Sequence, residues 1–206
     1  MSKKSSFSEP NFFRFLRATY AFESVLRAPK VVGRESKESD AEHSYQLAMT
    51  VWYLASIKDY GFSIEKLIKY ALVHDLVELY AGDTDTYAST SDFAKSKHER
   101  ELASLARLKS EFPEFSEMTD LIDKYESRSE PEARFVYAID KLLPFANAYF
   151  YGQKDYYQIN KISFKKWHNN LQTKIISVGG ESLYQDEYIQ DFVTFFRSLE
   201  NFFYEE

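Results

Sequence analysis

Apolar side chains recur at helical spacing along nearly the whole chain, and this pattern constrains the fold more than any other feature of the sequence. Between Phe12 and Leu26, large apolar residues return every three or four positions, as on one face of an α-helix. Only 6 glycines and 5 prolines occur in 206 residues, and no alternation typical of a β-strand persists. The sequence therefore predicts an all-α helical bundle, folded as a single domain over residues 1–206.

The predicted domain has two parts that no linker, internal repeat or low-complexity segment separates. A core at about residues 12–150 holds the polar residues discussed below, and C-terminal helices at about 160–206 pack on it. The last helix carries several phenylalanines, and aromatic residues are enriched in both cores and interfaces. These phenylalanines are therefore expected either to cap the bundle or to contact a second subunit in a homodimer.

Local signals set the expected boundaries of the central helices. A polar connector leads to a capping box that begins at Ser39, and Ser63 is placed to cap the following helix. That helix should continue to about Gly82, and residues 83–94, which are small and polar, should form a loop. Pro144 should bend or interrupt the helix that contains it, because proline lacks the backbone N–H.

The composition limits the class of function. The chain is 44% hydrophobic and 28% charged, its net charge is −6, and it contains no cysteine. This balance is typical of a globular protein, argues against a nucleic-acid polymer as partner, and excludes disulfides and thiolate chemistry. The first ten residues lack the apolar core of a signal peptide, and no apolar run reaches membrane-spanning length. We therefore expect a cytoplasmic protein that does not bind membranes.

The segment 71–84, ALVHDLVELYAGDT, places ionisable residues inside an apolar run. His74 and Glu78 are four positions apart and share a face of the predicted helix, whereas Asp75 lies one position round. Burying such groups without partners is strongly unfavourable. A metal ion placed where the side chains of His74 and Asp75 can both reach it would satisfy both polar groups. Residues from other helices would have to supply its remaining ligands.

Two further polar residues, His43 and Asp140, occupy helix stripes that should be apolar. Together with His74 and Asp75 they offer two imidazoles and two carboxylates, a set that suits one divalent ion of Mn, Fe, Co, Ni, Zn or Mg. The competing interpretation is that each is a hydrogen-bonded core residue, which is the more common role for any one of them alone. The set of four favours a metal site because every member is ionisable where an apolar residue is expected.

The order of these residues resembles that of the HD-domain metal-dependent phosphohydrolase superfamily. The segments AEHSYQLA, ALVHDLVELYAGD and KYESRSEPEARFVYAIDKLLP are similar to its first-histidine helix, its His-Asp helix and its last-aspartate segment. More narrowly, they resemble the branch of bacterial 5′-deoxynucleotidases and their eukaryotic HD-domain relatives. The similarity extends from about Phe12 to Tyr149, and little of it continues into the C-terminal part.

This resemblance implies roles for particular residues. Glu78 would act as a general base or orient the attacking water, and Asp83 would work beside the metal and the substrate. Arg27 best matches an arginine that contacts phosphate, with Arg34 as the other candidate, and residues 83–94 would form the substrate loop. The metal ligands would be His43, His74, Asp75 and Asp140.

The resemblance also implies the reaction. The protein would release phosphate from a nucleoside 5′-monophosphate or a similar small phosphate ester by attack of metal-bound water. One ion is expected, because His98 is the only histidine between the His-Asp pair and the last aspartate and has charged neighbours. The alternatives are a phosphodiesterase or pyrophosphohydrolase of the same fold, or a metal-binding scaffold without activity.

Overall fold

The computed structural model describes residues 10–30, 36–84, 91–199 and 202–205, and most of these are helical. The all-α prediction is confirmed, with one small two-stranded sheet added to it. In chain order the elements are α1 (Asn11–Phe22), β1 (Leu26–Lys30), β2 (Lys37–Ser39), α2 (Asp40–Ile57), α3 (Ile64–Val73), α4 (Glu78–Ala81), α5 (Ser91–Lys95), α6 (Lys97–Glu111), a 3₁₀ turn (Pro113–Phe115), α7 (Ser116–Glu126), α8 (Pro131–Phe150), α9 (Lys154–Ile159), α10 (Phe164–Tyr184) and α11 (Glu187–Arg197).

The polar connector before α2 contains a short antiparallel hairpin that the sequence did not predict. β1 and β2 pair through Leu26 with Ser39 and through Lys30 with Lys37. The strands have 5 and 3 residues and are mostly polar, so they lack an alternating apolar pattern. The hairpin ends at Ser39, whose hydroxyl accepts a hydrogen bond from the Glu42 N–H and completes the predicted capping box. Strand pairing and helix cap together fix where α2 begins.

Three helices bring the residues of the predicted site together. α2 packs along α3, and both pack against α8. Their inner faces contribute buried aliphatic side chains that include Leu47, Leu67, Val136 and Ile139. Burial of one such side chain stabilises the fold by about 1.5–3 kcal/mol. The apolar stripes predicted beside the site residues therefore form the core that positions those residues.

The helix predicted to continue to Gly82 is instead divided at the His-Asp pair. α3 ends before His74, a turn follows, and α4 begins at Glu78. Backbone hydrogen bonds in the turn join residues three apart, such as the Glu78 N–H to the Asp75 carbonyl at 2.8 Å. These bonds wind the chain more tightly than an α-helix and bring residues three apart onto one side. Glu78 therefore lies on the side of Asp75, whereas the sequence predicted a face shared with His74.

α8 is one helix of 20 residues that continues through Pro144. Of the two outcomes predicted for this proline, a bend or an interruption, the interruption does not occur. Proline removes one backbone hydrogen bond from the helix, but Leu142, Phe145 and Ala148 around it are buried in the main core. Their burial offsets the missing bond and keeps the helix that carries Asp140 intact.

The C-terminal helices share the main core of the molecule. Trp167 on α10, Phe196 on α11 and Phe203 after α11 belong to the same cluster of buried side chains as Leu47 of α2. The ring centroid of Trp167 lies 5.3 Å from that of Phe203 and 5.7 Å from that of Phe196. These phenylalanines cap the bundle, which is the first of the two roles predicted for them.

One feature of the surface bears on possible protein partners. The outer face of α2 exposes a stripe of apolar side chains at helical spacing, consisting of Tyr45, Met49, Trp52, Tyr53 and Ile57. Across the described residues, none of the helices combines the length and the apolar character needed to cross a membrane.

Candidate metal centre

The four predicted metal ligands meet at one point between α2, α3 and α8. Nε2 of His43 lies 2.9 Å from Oδ1 of Asp140, and Nε2 of His74 lies 2.9 Å from Oδ2 of Asp75. Nε2 of His74 is also 3.8 Å from Oδ1 of Asp140. One possible ligand atom from each of His43, His74 and Asp75 lies within 4.8 Å of the others. Residues 97 positions apart in the chain are thus brought together by helix packing.

The contacts of His74 test whether a metal ion fits this site. Nδ1 of His74 lies 2.9 Å from the Ala71 carbonyl oxygen, which can only accept, so Nδ1 carries the proton of a neutral ring. When the ring is neutral, Nε2 presents a buried lone pair toward Oδ2 of Asp75, which lies 2.9 Å away without forming a hydrogen bond. A lone pair that faces two carboxylates is stabilised by a cation between them. The donor atoms present here therefore fit a divalent metal ion.

The protonation of the two histidines agrees with this assignment. Burial and the charge of Arg27 lower the pKa of His43 to about 4, so its imidazole is neutral at pH 7 and able to bind a metal. Burial lowers the pKa of His74, but the Asp75 and Asp140 carboxylates outweigh it and leave that pKa raised. His74 thus lies where the surrounding charge favours a bound cation, either a proton or a metal ion.

Arg27 on β1 neutralises a group of buried carboxylates beside the metal ligands. Its Nη1 donates to Oδ2 of Asp75 at 2.7 Å and to Oδ1 of Asp40 at 3.2 Å, and its Nε lies 3.6 Å from Oε2 of Glu38. Burial and the nearby Asp75 raise the pKa of Asp40 to about 7. Asp75 is thereby held from two sides, by His74 and by Arg27. Arg34, the other arginine predicted to contact phosphate, lies outside the described residues.

Glu38 and Asp40 are site residues that the sequence analysis missed. Nδ2 of Asn147 donates to Oε1 of Glu38 at 2.7 Å, and Oε2 of Glu38 lies 3.9 Å from Nδ1 of His43. Glu38 therefore links the hairpin to α8 behind the first histidine. Acids that flank a helix N-cap are usually explained by the helix dipole, so their sequence position gave no sign of this role.

Glu78 is a buried carboxylate at the edge of the site. Its Oε1 lies 3.4 Å from Nζ of Lys97, and its Oε2 is buried without a hydrogen-bond partner among the residues that the structure describes. Its oxygens group with those of Asp40 and Asp75, within 4.8 Å of one another. Burial and the charge of Asp75 raise the pKa of Glu78 well above its usual value. Glu78 is thus a proton acceptor of increased basicity.

Asp83 follows Gly82, which ends α4 with a φ of 74°. This left-handed conformation suits glycine and turns the chain toward the site. Asp83 is half-buried, and its charge contributes to the raised pKa of both Glu78 and Asp40. It therefore lies near Glu78 and Asp40, and its place beside the metal and the substrate remains a prediction.

A cavity of about 350 Å³ opens at three of the predicted metal ligands. His74, Asp75 and Asp140 line it on one side. Its lining also includes two acids, Glu101 and Glu126, and four cations, which are Lys97, Arg128, Lys141 and Lys174. These cations come from separate elements of the chain, so no local sequence pattern indicates them.

The predicted substrate loop at 83–94 contributes Thr84 to this cavity. Residues 85–90 of the predicted loop lie outside the described residues, and residues 91–94 belong to α5 rather than to a loop.

Comparison with known proteins gives consistent results. A model of the HD domain family matches residues 23–178. The mouse 5′-deoxynucleotidase HDDC2 is 31% identical over 68% of this chain and 70% of its own length, and the 5′-deoxynucleotidase hdd1 of Schizosaccharomyces pombe is 30% identical over 59% and 62%. The solved structure of a predicted metal-dependent phosphohydrolase from Magnetospirillum magnetotacticum covers 95% of both chains with a TM-score of 0.75 and 26% identity.

Fold and site together define the class: an all-α protein with two histidines and two aspartates converging between its central helices. Within that class, the chain belongs to the HD domain family. The predicted superfamily, the 5′-deoxynucleotidase-like branch and the enzyme class of metal-dependent phosphohydrolases are confirmed. Membership of the HD domain family implies that the protein binds a divalent metal ion.

Proposed function

We propose that the protein is a phosphomonoesterase that releases phosphate from nucleoside 5′-monophosphates and depends on one divalent ion. The observation that carries this proposal is the cavity in which His74, Asp75 and Asp140 face four cationic side chains. Its volume of about 350 Å³ falls within the range of small-molecule sites. The related 5′-deoxynucleotidases support a nucleotide as the ligand.

His43, His74, Asp75 and Asp140 would hold the ion. When bound, the ion would supply Lewis-acid polarisation of the phosphoryl group and activation of water. The protein's own contribution is to keep the ligand side chains in place before the ion arrives. Asp75 is fixed by Arg27, His74 by the Ala71 carbonyl, and Asp140 by Nζ of Lys141 at 2.5 Å.

Glu78 takes the proton of the attacking water at its Oε2 in this proposal. That oxygen is buried and unpartnered within the described chain, and the raised pKa of Glu78 makes it a better proton acceptor near neutral pH. Asp83, half-buried on the same side, would deliver a proton to the leaving ribose oxygen. Arg27 would add positive charge toward the phosphate while it holds Asp75 in position.

A second candidate is hydrolysis of a nucleoside triphosphate at the phosphoanhydride bond between its α and β phosphates. Two cations of the cavity, Arg128 and Lys174, form no ion pair within 4.0 Å over the described ranges, and they would contact a second phosphate group of such a substrate. The product separates the two functions, since a monophosphatase releases inorganic phosphate and the alternative releases pyrophosphate. Phosphodiester hydrolysis and a scaffold without activity have no structural feature of their own in their favour.

A screen of phosphate esters, with Mn, Co, Ni, Zn and Mg added separately, tests the proposal. We expect phosphate release from nucleoside 5′-monophosphates and none from the matched nucleoside 3′-monophosphates or from diesters. Release of pyrophosphate from triphosphates would favour the second candidate. Absence of hydrolysis with every ion would refute both.

Two broader predictions accompany this function. A cytoplasmic location and a homodimer were predicted from the sequence, and both remain predictions. The exposed apolar stripe on α2 supports association of two copies. Light scattering of the purified protein would test the dimer, and cell fractionation would test the location.

A further inference from the structure

Two of the four cations in the cavity form no ion pair within 4.0 Å among the described residues. Lys97 is paired with Glu78 at 3.4 Å and with Glu101 at 3.0 Å, and Lys141 is paired with Asp140. Over the described ranges, Arg128 and Lys174 form no ion pair within 4.0 Å. Glu126 also lines this cavity, and the charge of Arg128 opposes the rise that burial causes in the pKa of that carboxyl. Arg128 and Lys174 are therefore the two cations of the cavity that no carboxylate of the described residues contacts directly.

The structure holds the guanidinium of Arg128 in place. Its Cζ lies 4.0 Å from the ring centroid of Tyr125 and 4.2 Å from that of Tyr137, and its Nη1 donates to the Tyr125 carbonyl. Arg128 has a φ of 51° and follows the end of α7, where the Arg128 N–H bonds to the Tyr125 carbonyl and the Ser129 N–H bonds to the Lys124 carbonyl. The two ring contacts and the bond to the Tyr125 carbonyl hold the Arg128 side chain in place where it lines the cavity.

Arg128 is linked to the predicted metal ligand Asp140 through two side chains, Tyr137 and Lys141. Nζ of Lys141 lies 4.7 Å from the ring centroid of Tyr137, the same ring that Arg128 contacts, and also bonds to Asp140. The unpaired guanidinium is therefore two side chains away from a metal ligand. An anion between Arg128 and the metal ligands would be close to both.

Lys174 reaches the same cavity from α10. Burial and the charge of Lys141 lower the pKa of Lys174 to about 8, and Lys97 contributes in the same direction. Lys174 is thus an ammonium group that is partly removed from water and repelled by its neighbours. A bound anion would remove this repulsion.

Arg27 is placed differently. Its Nη1 is bonded to two carboxylates and its Nε faces a third, and it does not line this cavity. Lys174 and Arg128 line this cavity together with three of the predicted metal ligands, so a phosphate group that enters it meets both cations.

We propose that Lys174 and Arg128 bind the phosphate group of the substrate and the inorganic phosphate product from the cavity side. This inference rests on the proposed function and adds to it the two residues that recognise the anion. Both residues are substrate-binding residues and neither transfers a proton.

The test replaces Lys174 by methionine, which keeps the length of the side chain and removes its charge. The control is Lys165→Met, a change of an exposed lysine on the same helix. Inorganic phosphate is the probe, titrated calorimetrically into the metal-loaded protein, and KM and kcat are measured for a nucleoside 5′-monophosphate. We expect Lys174→Met to weaken phosphate binding and raise KM about tenfold or more, with a smaller change in kcat, because a charge-assisted bond is lost.

A second variant separates charge from structure. Lys174→Arg should restore phosphate binding to within a few-fold of the wild type, and Lys174→Met should melt at the same temperature or higher. Wild-type phosphate affinity and KM in Lys174→Met would overturn the inference while leaving the proposed function intact. A wild-type protein that neither binds phosphate nor hydrolyses any ester would overturn both.

Discussion

Nε2 of His43 lies 2.9 Å from Oδ1 of Asp140, although the two residues are 97 positions apart in the chain. This contact joins α2 to α8, and His74 from the end of α3 lies beside it, with the two imidazole centroids 5.3 Å apart. Polar groups of this kind are unfavourable in a core unless they are paired or bind a metal. The contact therefore lies at the candidate metal centre, where a bound ion would satisfy these buried polar groups.

Replacing His74 by alanine should abolish metal binding. The wild type should gain about 2.7 kcal/mol of stability at an ion concentration of 100 times the Kd, because the ion binds only the folded state. His74→Ala should show no such gain, as measured by melting temperature with and without the ion and by metal analysis. His98→Ala, a change at an exposed histidine, is the control, and metal retained by His74→Ala would refute its assignment as a ligand.

Replacing Glu78 by glutamine should separate catalysis from metal binding. The variant should keep its metal and lose about 10²–10⁴-fold in kcat, because the buried proton acceptor is gone. Without metal, the variant should be at least as stable as the wild type, because burial and the charge of Asp75 already disfavour the charged form of Glu78. Steady-state kinetics and melting curves provide the measurement, and Glu99→Gln, a change at an exposed glutamate, is the control. Full activity of Glu78→Gln would rule out the proton-acceptor role.

Replacing Arg27 by methionine should destabilise the metal-free protein by about 3–5 kcal/mol. The substitution leaves the buried carboxylates of Glu38, Asp40 and Asp75 without their shared cation, and an uncompensated buried charge is costly. Arg107→Met breaks an exposed pair with Glu111 and should cost less than about 1 kcal/mol. Denaturant unfolding measures both, and equal losses would show that the Arg27 cluster adds no stability.

Replacing Trp167 by alanine should cost about 3–5 kcal/mol, because its side chain is fully buried in the main core. Phe195→Ala removes a phenylalanine that is 44% exposed and should cost much less. If the C-terminal helices and α2 share one core, the wild type should unfold in a single transition. Two transitions, of which Trp167→Ala shifts only one, would contradict a shared core.

The sequence was informative where one residue type broke a strong pattern. His43, His74, Asp75 and Asp140 each stand on an apolar helical stripe, and helical spacing is regular enough to show that such residues face the core. The capping box at Ser39 was equally predictable, because its donors and acceptors lie within a few residues.

Other parts of the site depend on contacts that helical spacing does not encode. The tight turn at His74 moves Glu78 to the side of Asp75, because its hydrogen bonds join residues three apart. Glu38 and Asp40 acquire their role from a hairpin too short and too polar to leave a strand pattern. Lys174 and Arg128 meet the metal ligands only after α8 and α10 have packed, so chain position gives no sign of them.

Metal add-back tests the central claim most directly. The protein is stripped with a chelator, one ion at a time is restored, and phosphate released from a nucleoside 5′-monophosphate is measured beside His74→Ala. We predict no release without an ion, release with at least one of Mn, Co, Ni, Zn or Mg, and none from His74→Ala with any of them. Phosphate release by the stripped protein, or equal release by His74→Ala, would contradict the account.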